Sequence, residues 1–298
     1  MNTSSLTIHN DVATLPYLAT PFKNVYQHVS ASHPHSQPHQ PVHSLLPLPT
    51  LHVVIINSDT LKKNTTIVIS PITGFQHSLR NVNDGVTYFG YQDEHEILSN
   101  ASANVDFLIK PKRSFVNKEE MNKFNGRHFS IRFNHNDTRF YLIDLGNGFG
   151  TFYKLEQRTV LKDGYLINIG NSYIVSNITN GNGIVLVVYN EYTDKKRYVF
   201  TKDDGFICIG RDEEWNDVAI KDGLLSRVHC TVWWDEEVGK WMVSDGKVED
   251  KGVTVGMKGG VASTNGTWMY VIEEKEITEG MIFKSNYNLY MCKYCYDT

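Results

Sequence analysis

The chain has 298 residues, of which 41% are hydrophobic, and its formal net charge is -4. This length has room for about two domains, and the negative charge argues against a general nucleic-acid-binding protein, which is usually basic. No apolar run approaches the ~18 residues of a membrane span. The N-terminus lacks a charged-then-apolar signal pattern, so we expect neither secretion nor membrane insertion.

Residues 1–49 differ in composition from the rest of the chain. They hold seven of the nine prolines, six of the twelve histidines and only two charged residues, Asp11 and Lys23. Such a segment cannot build a core and is predicted to be a disordered or extended arm. Histidine-rich tracts can bind metal, but no cysteine or carboxylate accompanies the histidines of residues 32–39, so we predict no metal site.

Beyond the arm, the sequence predicts an all-β chain. Short runs rich in Val, Ile, Tyr, Phe and Trp alternate with polar positions and end at Gly, Asn or Asp turns. The predicted strands are 51–57, 65–70, 87–91, 129–133, 139–143, 173–177, 184–190, 197–201, 206–211, 228–234, 240–244, 267–271, 281–284 and 288–294. The one helix candidate is 117–124. Many short strands with so little helix indicate β-sandwiches.

The chain repeats part of its own pattern. Residues 149–151 correspond to residues 265–267, and residues 163–164 correspond to residues 279–280, both at an offset of 116 residues. A repeat at one fixed offset indicates two tandem domains of one fold, joined by a polar turn near residues 179–183. The predicted divisions are the arm at 1–49, a first sandwich at 50–180 and a second sandwich at 181–298.

All four cysteines, Cys208, Cys230, Cys292 and Cys295, lie in the second half of the chain. They fit a reduced intracellular compartment best. The Cys292-x-x-Cys295 spacing falls within a predicted strand, where a separation of three residues places the two thiols on opposite faces. Buried, inert thiols are therefore favoured over a metal or redox pair.

Three short segments of the second domain carry chemistry. They are Gly210-Arg211, the Ser-Arg-Val-His stretch at 226–229 and the Ser-Thr-Asn-Gly-Thr stretch at 263–267. Each lies where a predicted strand ends or begins, which is where a rigid sandwich presents binding residues. Two guanidinium groups, a hydroxyl donor and a polar turn suit a phosphate dianion and the peptide backbone beside it.

In this order the three segments resemble the forkhead-associated (FHA) domain, a phosphothreonine-reading β-sandwich, over about residues 184–296. The resemblance implies that Arg211 grips the phosphate, that Ser226 donates its hydroxyl and that Asn265 bonds the peptide backbone. Arg227 would add a second cation, and Thr264 would lie at the rim. The implied supporting residues are Gly210, His229 and Gly266.

The first domain keeps the scaffold but not this chemistry. Tyr91, Asn125 and Phe149 stand where the second domain has its arginine, serine and asparagine. Losing the charged partner of a buried anion costs about 2–5 kcal/mol, so we expect a sandwich that does not read phosphate. Arg127 is a residual cation that leaves room for a weak anion site at most.

Features beside the site leave its accessibility open. The loop at 246–262 is longer than the family pattern and could gate the pocket, add specificity or block it. The acidic run at 212–214 disfavours acidic peptides nearby. Trp215 and Trp268 flank the site and are candidate peptide contacts.

A catalytic interpretation is weak. Ser226 and His229 are three residues apart at a strand start, where odd spacing tends to splay the side chains, and nucleophilic catalysis needs hydrogen-bond reach and a third orienting group. We therefore predict a protein that is not an enzyme and that uses no cofactor and no metal.

The preferred hypothesis is an adaptor that binds phosphothreonine-containing partner proteins through the second domain, without nucleic acid as a partner. The alternative is a phosphate-independent structural subunit of a larger protein assembly, which uses both sandwiches and the arm as docking surfaces. The intact motifs favour the first, whereas the degenerate first domain and the long loop favour the second. Thr20-Pro21 in the arm is a candidate phosphorylation site that this pocket would bind, in the same or a neighbouring copy.

Overall fold

The computed structural model describes residues 48–80, 82–92, 104–112, 118–179, 182–190, 193–250, 253–254 and 262–296. The predicted arm, with Thr20, lies outside these residues apart from Leu48 and Pro49. The middle of the predicted 246–262 loop also lies outside them.

The described chain is almost entirely β-structure, which confirms the predicted fold class. The first seven strands are β1 Thr50–Asn57, β2 Thr66–Ser70, β3 Gly74–Phe75, β4 Val86–Tyr91, β5 Phe107–Leu108, β6 Gly126–Asn134 and β7 Arg139–Asp144. The next six are β8 Thr151–Lys154, β9 Thr159–Val160, β10 Leu166–Ile169, β11 Ser172–Thr179, β12 Gly183–Asn190 and β13 Thr193–Phe200. A further seven are β14 Phe206–Gly210, β15 Val218–Ala219, β16 Cys230–Asp235, β17 Lys240–Asp245, β18 Val248–Asp250, β19 Val253–Thr254 and β20 Trp268–Tyr270. The last three are β21 Lys275–Glu276, β22 Ile282–Ser285 and β23 Asn288–Cys295.

The helical segments are short. Helix α1 is Lys118–Phe124, which agrees with the predicted helix at 117–124, and a 3-10 turn is Lys202–Asp204. The described residues also contain nine strands that were not predicted, namely β3, β5, β8, β9, β10, β15, β18, β19 and β21. Each is only two to four residues long, too short for alternation to show in the sequence.

The described residues form two compact units. One is the continuous stretch Phe152–Ile272, called here the insert unit. The other, called here the host unit, combines residues 48–151 with residues 273–296. The chain thus leaves the host unit, completes the insert unit and returns to finish the host unit.

The host unit is a sandwich of two sheets. One has the strand order β22-β23-β1-β2-β3 and the other has the order β21-β7-β6-β4-β5. Alternation along β1 directs Leu51, Val53 and Ile55 inward, all at most 1% exposed. Aromatic rings join the two sheets, since the Phe129 centroid lies 5.4 Å from that of Phe283.

The insert unit is a second two-sheet sandwich. Its sheets have the strand orders β13-β12-β11-β10-β20-β8 and β15-β14-β16-β17-β9. Its core takes apolar side chains from both sheets, including Ile174 and Leu186 from one and Val232 and Trp241 from the other. This packing fixes the ends of β14, β16 and β17, which border the candidate site.

The compact units do not coincide with the predicted domains 50–180 and 181–298. The predicted boundary falls inside a hairpin, because β11 and β12 pair antiparallel with Val175 opposite Val187. The closing strands of each repeat, meaning the last strands in its sequence, complete the sandwich of the other repeat. Strands β9 and β10 pair with β17 and β20, whereas β21 and β23 pair with β7 and β1.

The exchange has a physical reason. Both closing segments carry the same alternating apolar pattern and the same Gly turn, at 163–164 and 279–280. The two segments are thus alike in local pattern, and tertiary packing decides which pairing forms.

Candidate functional site

Arg211 lies immediately after strand β14, at one end of the insert unit, and is exposed. Its backbone N–H donates to the carbonyl oxygen of Ser226 at 3.1 Å. A Cβ atom on the preceding Gly210 would lie 2.8 Å from the carbonyl carbon of Arg227 and 2.9 Å from the carbonyl oxygen of Ser226. Only glycine lets these two backbone segments approach so closely.

Ser226 and Thr264 join two of the predicted segments across the site. The backbone N–H of Thr264 donates to Ser226 Oγ at 3.0 Å, and the two hydroxyl oxygens are 3.4 Å apart. Because Ser226 Oγ accepts the Thr264 hydrogen bond, its own hydrogen remains available to donate to a ligand.

The buried His229 supports the same loops from the protein interior. The Ser226 backbone N–H donates to its Nδ1 at 3.1 Å, so Nε2 carries the hydrogen and donates to the carbonyl oxygen of Gly266 at 3.1 Å. Burial lowers the pKa of His229, which keeps the ring neutral, although the bond to Gly266 opposes the shift. The ring engages the N–H of Ser226 and not its hydroxyl, so this geometry does not assemble a serine–histidine nucleophile.

The Asn265-Gly266 turn is held by side chains on both sides. Asn265 Nδ2 donates to the carbonyl oxygen of Leu224 at 2.7 Å, and Trp268 Nε1 donates to the carbonyl oxygen of Asn265 at 3.0 Å. Gly266 adopts a φ of 77°, in the left-handed region that favours glycine. Trp268 is only 5% exposed, so it supports the turn, whereas Trp215 is 57% exposed and remains at the surface.

Asp245 organises this turn, and the sequence analysis did not identify that role. Its carboxylate accepts hydrogen bonds from the Ser263 N–H at 3.0 Å, from Ser263 Oγ at 2.6 Å and from Thr267 Oγ1 at 2.7 Å. Both ends of the 263–267 turn are therefore fixed to the end of β17. The available signal was its repeat partner Asp144, which precedes the equivalent turn.

The site presents two cations. Arg227 is exposed, and its carbonyl oxygen accepts a hydrogen bond from Asn216 Nδ2 at 2.6 Å. Within the described part of the chain, neither Arg211 nor Arg227 forms an ion pair. Nearby, Lys221 Nζ lies 3.9 Å from Glu213, an exposed pair of little energetic weight.

The described base of the 246–262 loop packs against the sandwich. The Gly246 N–H donates to the carbonyl oxygen of His229 at 2.7 Å. Val248 is buried in a small cluster with Trp233 and Met242, on the side of the β16–β17 sheet opposite the main core. Residues 251–252 and 255–261 lie outside the described part, so the three predicted roles of the loop (gating the pocket, adding specificity or blocking it) remain predictions.

Aromatic side chains occupy the corresponding end of the host unit. The ring centroid of Phe124 lies 5.8 Å from that of Tyr91 and 6.3 Å from that of Phe149. The Phe149 centroid lies 5.5 Å from that of Tyr287. Two of the three substitutions predicted from the sequence, Tyr91 and Phe149, thus belong to one aromatic cluster.

His128 of the host unit repeats the support role of His229. Asn286 Nδ2 donates to its Nδ1 at 2.8 Å, and its Nε2 donates to the carbonyl oxygen of Phe124 at 2.5 Å. Burial lowers the pKa of His128 to about 4. The residual cation Arg127 is held within its own unit, since its Nε donates to the carbonyl oxygen of Asn104 at 2.7 Å.

The described residues have free cysteine thiols, with Cys230 and Cys292 buried. Their histidines, cysteines and carboxylates do not come together in groups of three or more that would hold a metal ion. Helix α1, like any other described helix, is not long and apolar enough to cross a membrane.

Sequence comparison identifies the fold family. The family model of the FHA domain matches residues 106–170 and 207–284. Each matched segment crosses between the host and insert units, so the family pattern follows the sequence repeats and not the compact units. A search of curated proteins found no match.

Proposed function

Because the chain belongs to the FHA-domain family and carries a tandem pair of FHA segments, we propose that it is a non-catalytic adaptor for phosphothreonine-containing partner proteins. FHA domains are protein-interaction modules that bind phosphopeptides and are generally not catalytic. The proposed binding residues are Arg211, Ser226, Arg227, Thr264 and Asn265, all in the insert unit.

The convergence of Ser226 and Thr264 is the observation that carries this proposal. The 3.0 Å bond between them joins the segment after Arg211 to the Asn265 turn, although the two residues are 38 positions apart. A phosphate dianion needs directional donors and positive charge together. The joined loops supply a hydroxyl and two exposed arginines.

The rest of the site is rigid, which favours binding. Asp245 and His229 hold the loops through hydrogen bonds to backbone and hydroxyl groups, so a ligand meets donors that are already placed. Preorganised donors bind more tightly because less conformational entropy is lost on association.

The host unit supports a second candidate function, phosphate-independent docking within a larger protein assembly. Its corresponding end carries the partly exposed rings of Tyr91 and Phe149, which pack against the buried Phe124, in place of the phosphate-binding groups. Such a surface offers apolar contact area and no guanidinium at the position of Arg211. Docking through the host unit alone is compatible with phosphopeptide binding by the insert unit.

A pull-down with a phosphothreonine peptide library tests the proposal. We expect the full-length protein to recover phosphothreonine peptides and the Arg211→Ala variant to lose them. Arg158→Ala is a matched control, because Arg158 pairs with Asp235 at the opposite end of strand β16 from the site. Equal recovery by the wild-type and Arg211→Ala proteins would contradict the proposal.

A further inference from the structure

Lys154 lies against the candidate site although it belongs to the first sequence repeat. It is the last residue of strand β8, which pairs antiparallel with β20, so that Lys154 stands opposite Trp268. Cross-strand partners project from the same face of a sheet. Trp268 donates to the carbonyl oxygen of Asn265, so β8 lies beside the strand that follows the Asn265 turn.

The side chain of Lys154 extends over Gly266. A Cβ atom on Gly266 would lie 2.7 Å from Lys154 Cε and 3.4 Å from Lys154 Cδ. The lysine stem therefore packs on the glycine, and the ammonium lies one bond beyond Cε. A lysine commonly buries its stem in this way while its charged end stays at the surface.

The Lys154 charge has no carboxylate partner among the described residues. Asp245, the carboxylate that holds the turn, is already bonded to Ser263 and Thr267. The acidic residues Glu213 and Glu214 belong to the segment that follows Arg211. Positive charge therefore borders the Asn265-Gly266 turn, and negative charge follows the Arg211 segment.

We propose that Lys154 is a specificity residue that selects an acidic side chain in the bound phosphopeptide, on the Asn265-Gly266 side of the phosphothreonine. This inference rests on the proposed function. It makes the site composite, because the second repeat supplies the phosphate-binding residues and the first repeat supplies the flanking cation. The acidic run at 212–214 disfavours acidic peptide residues on the other side of the phosphothreonine. This charge asymmetry would fix the orientation in which the peptide binds.

Phosphothreonine peptides with Asp, Ala or Lys at each flanking position test the role of Lys154 in the full-length protein. We expect Asp at one position to tighten wild-type binding about two- to fivefold over Ala, as for an exposed ion pair. Lys154→Met, which keeps an unbranched four-atom stem over Gly266 without the charge, should lose that preference, and Lys154→Glu should reverse it toward Lys. Lys240→Glu is the matched charge reversal, since Lys240 begins β17 at the end away from the site.

The outcomes separate the two proposals. Two results would overturn the role of Lys154 alone, provided that phosphopeptide binding still depends on Arg211. One is an Asp preference that is unchanged in Lys154→Glu, and the other is the absence of any flanking preference in the wild type. Failure of the wild-type protein to bind any phosphothreonine peptide would overturn the proposed function and the Lys154 role with it.

Discussion

The backbone N–H of Thr264 donates a 3.0 Å hydrogen bond to the side-chain oxygen of Ser226. This bond ties the loop that begins at Ser226 to the Asn265 turn, and it leaves the serine hydrogen pointing to a ligand or to the Thr264 hydroxyl. One hydroxyl thus has a structural and a proposed binding role.

Replacing Ser226 by alanine removes both roles. A hydrogen bond to a charged group contributes about 1.5–3 kcal/mol, so Ser226→Ala should weaken phosphothreonine-peptide binding by about tenfold or more. Ser226→Thr keeps a hydroxyl and is the matched variant, expected to retain most of the affinity. Fluorescence anisotropy with a labelled peptide measures the affinity of both variants. Equal affinities of Ser226→Ala and the wild type would show that the serine does not contribute to peptide binding.

Gly210 should resist substitution for a steric reason. A Cβ atom there would overlap the backbone of Arg227, which cannot move without displacing the 226–229 segment. Gly210→Ala should destabilise the insert unit by about 1–3 kcal/mol, as overpacking does. Gly223→Ala is the control, because a Cβ on Gly223 meets nothing within 4 Å. Thermal unfolding should show a lower midpoint for the first variant only, and equal midpoints would contradict the close approach.

The strand exchange predicts which fragment folds. Residues 152–272 contain every strand of both insert-unit sheets apart from the first residue of β8. Residues 181–298 instead lack β8, β9, β10 and β11, and they keep β21–β23 without their host partners. We expect 152–272 to show the dispersed amide signals of a folded domain and 181–298 to be unfolded or aggregated. The reverse result would mean that the sandwiches close within each repeat.

His128 should make the host unit sensitive to acid. Burial lowers its pKa from 6.5 to about 4, so the unfolded chain binds the proton first as the pH falls. Stability attributed to this residue is complete above about pH 6.5 and is lost progressively toward pH 4, amounting to about 3 kcal/mol.

Denaturant unfolding at several pH values tests this dependence. His128→Gln should flatten the decline between pH 6.5 and 4, beyond its own effect on stability at neutral pH. His135→Gln, at an exposed histidine of the same unit, serves as the comparison variant. A slope that is the same in all three proteins would show that His128 is not the acid-sensitive group.

Those features of the fold and site that depend on short-range sequence patterns could be predicted. Arg211, Ser226 and Asn265 could be found because each lies beside an apolar strand and in a recurring order, and the structure places Ser226 beside the Thr264–Asn265 turn. Strand alternation also located most of the β-structure. The role of Trp268 was misjudged, because exposure of one indole depends on its tertiary neighbours.

Long-range pairing was not predictable in the same way. The two closing segments have equivalent patterns, so local sequence does not determine whether β10 joins its own repeat or the other one. Lys154 could not be placed beside Gly266 for the same reason: 111 intervening residues separate them, and only the exchange brings them together. Asp245 had a signal in its repeat partner, but its three bonds follow from packing.

The affinity of one phosphothreonine peptide, chosen from the library, tests the central claim most directly. Calorimetric titration of the full-length protein should give measurable affinity for the phosphorylated peptide. That affinity should be at least about tenfold weaker when the peptide threonine is not phosphorylated. The Arg211→Ala protein should show a loss of the same size with the phosphorylated peptide. Arg158→Ala should bind as the wild type does. Equal affinity for the phosphorylated and unphosphorylated peptides, unchanged by Arg211→Ala, would contradict a phosphothreonine-reading site and favour phosphate-independent docking.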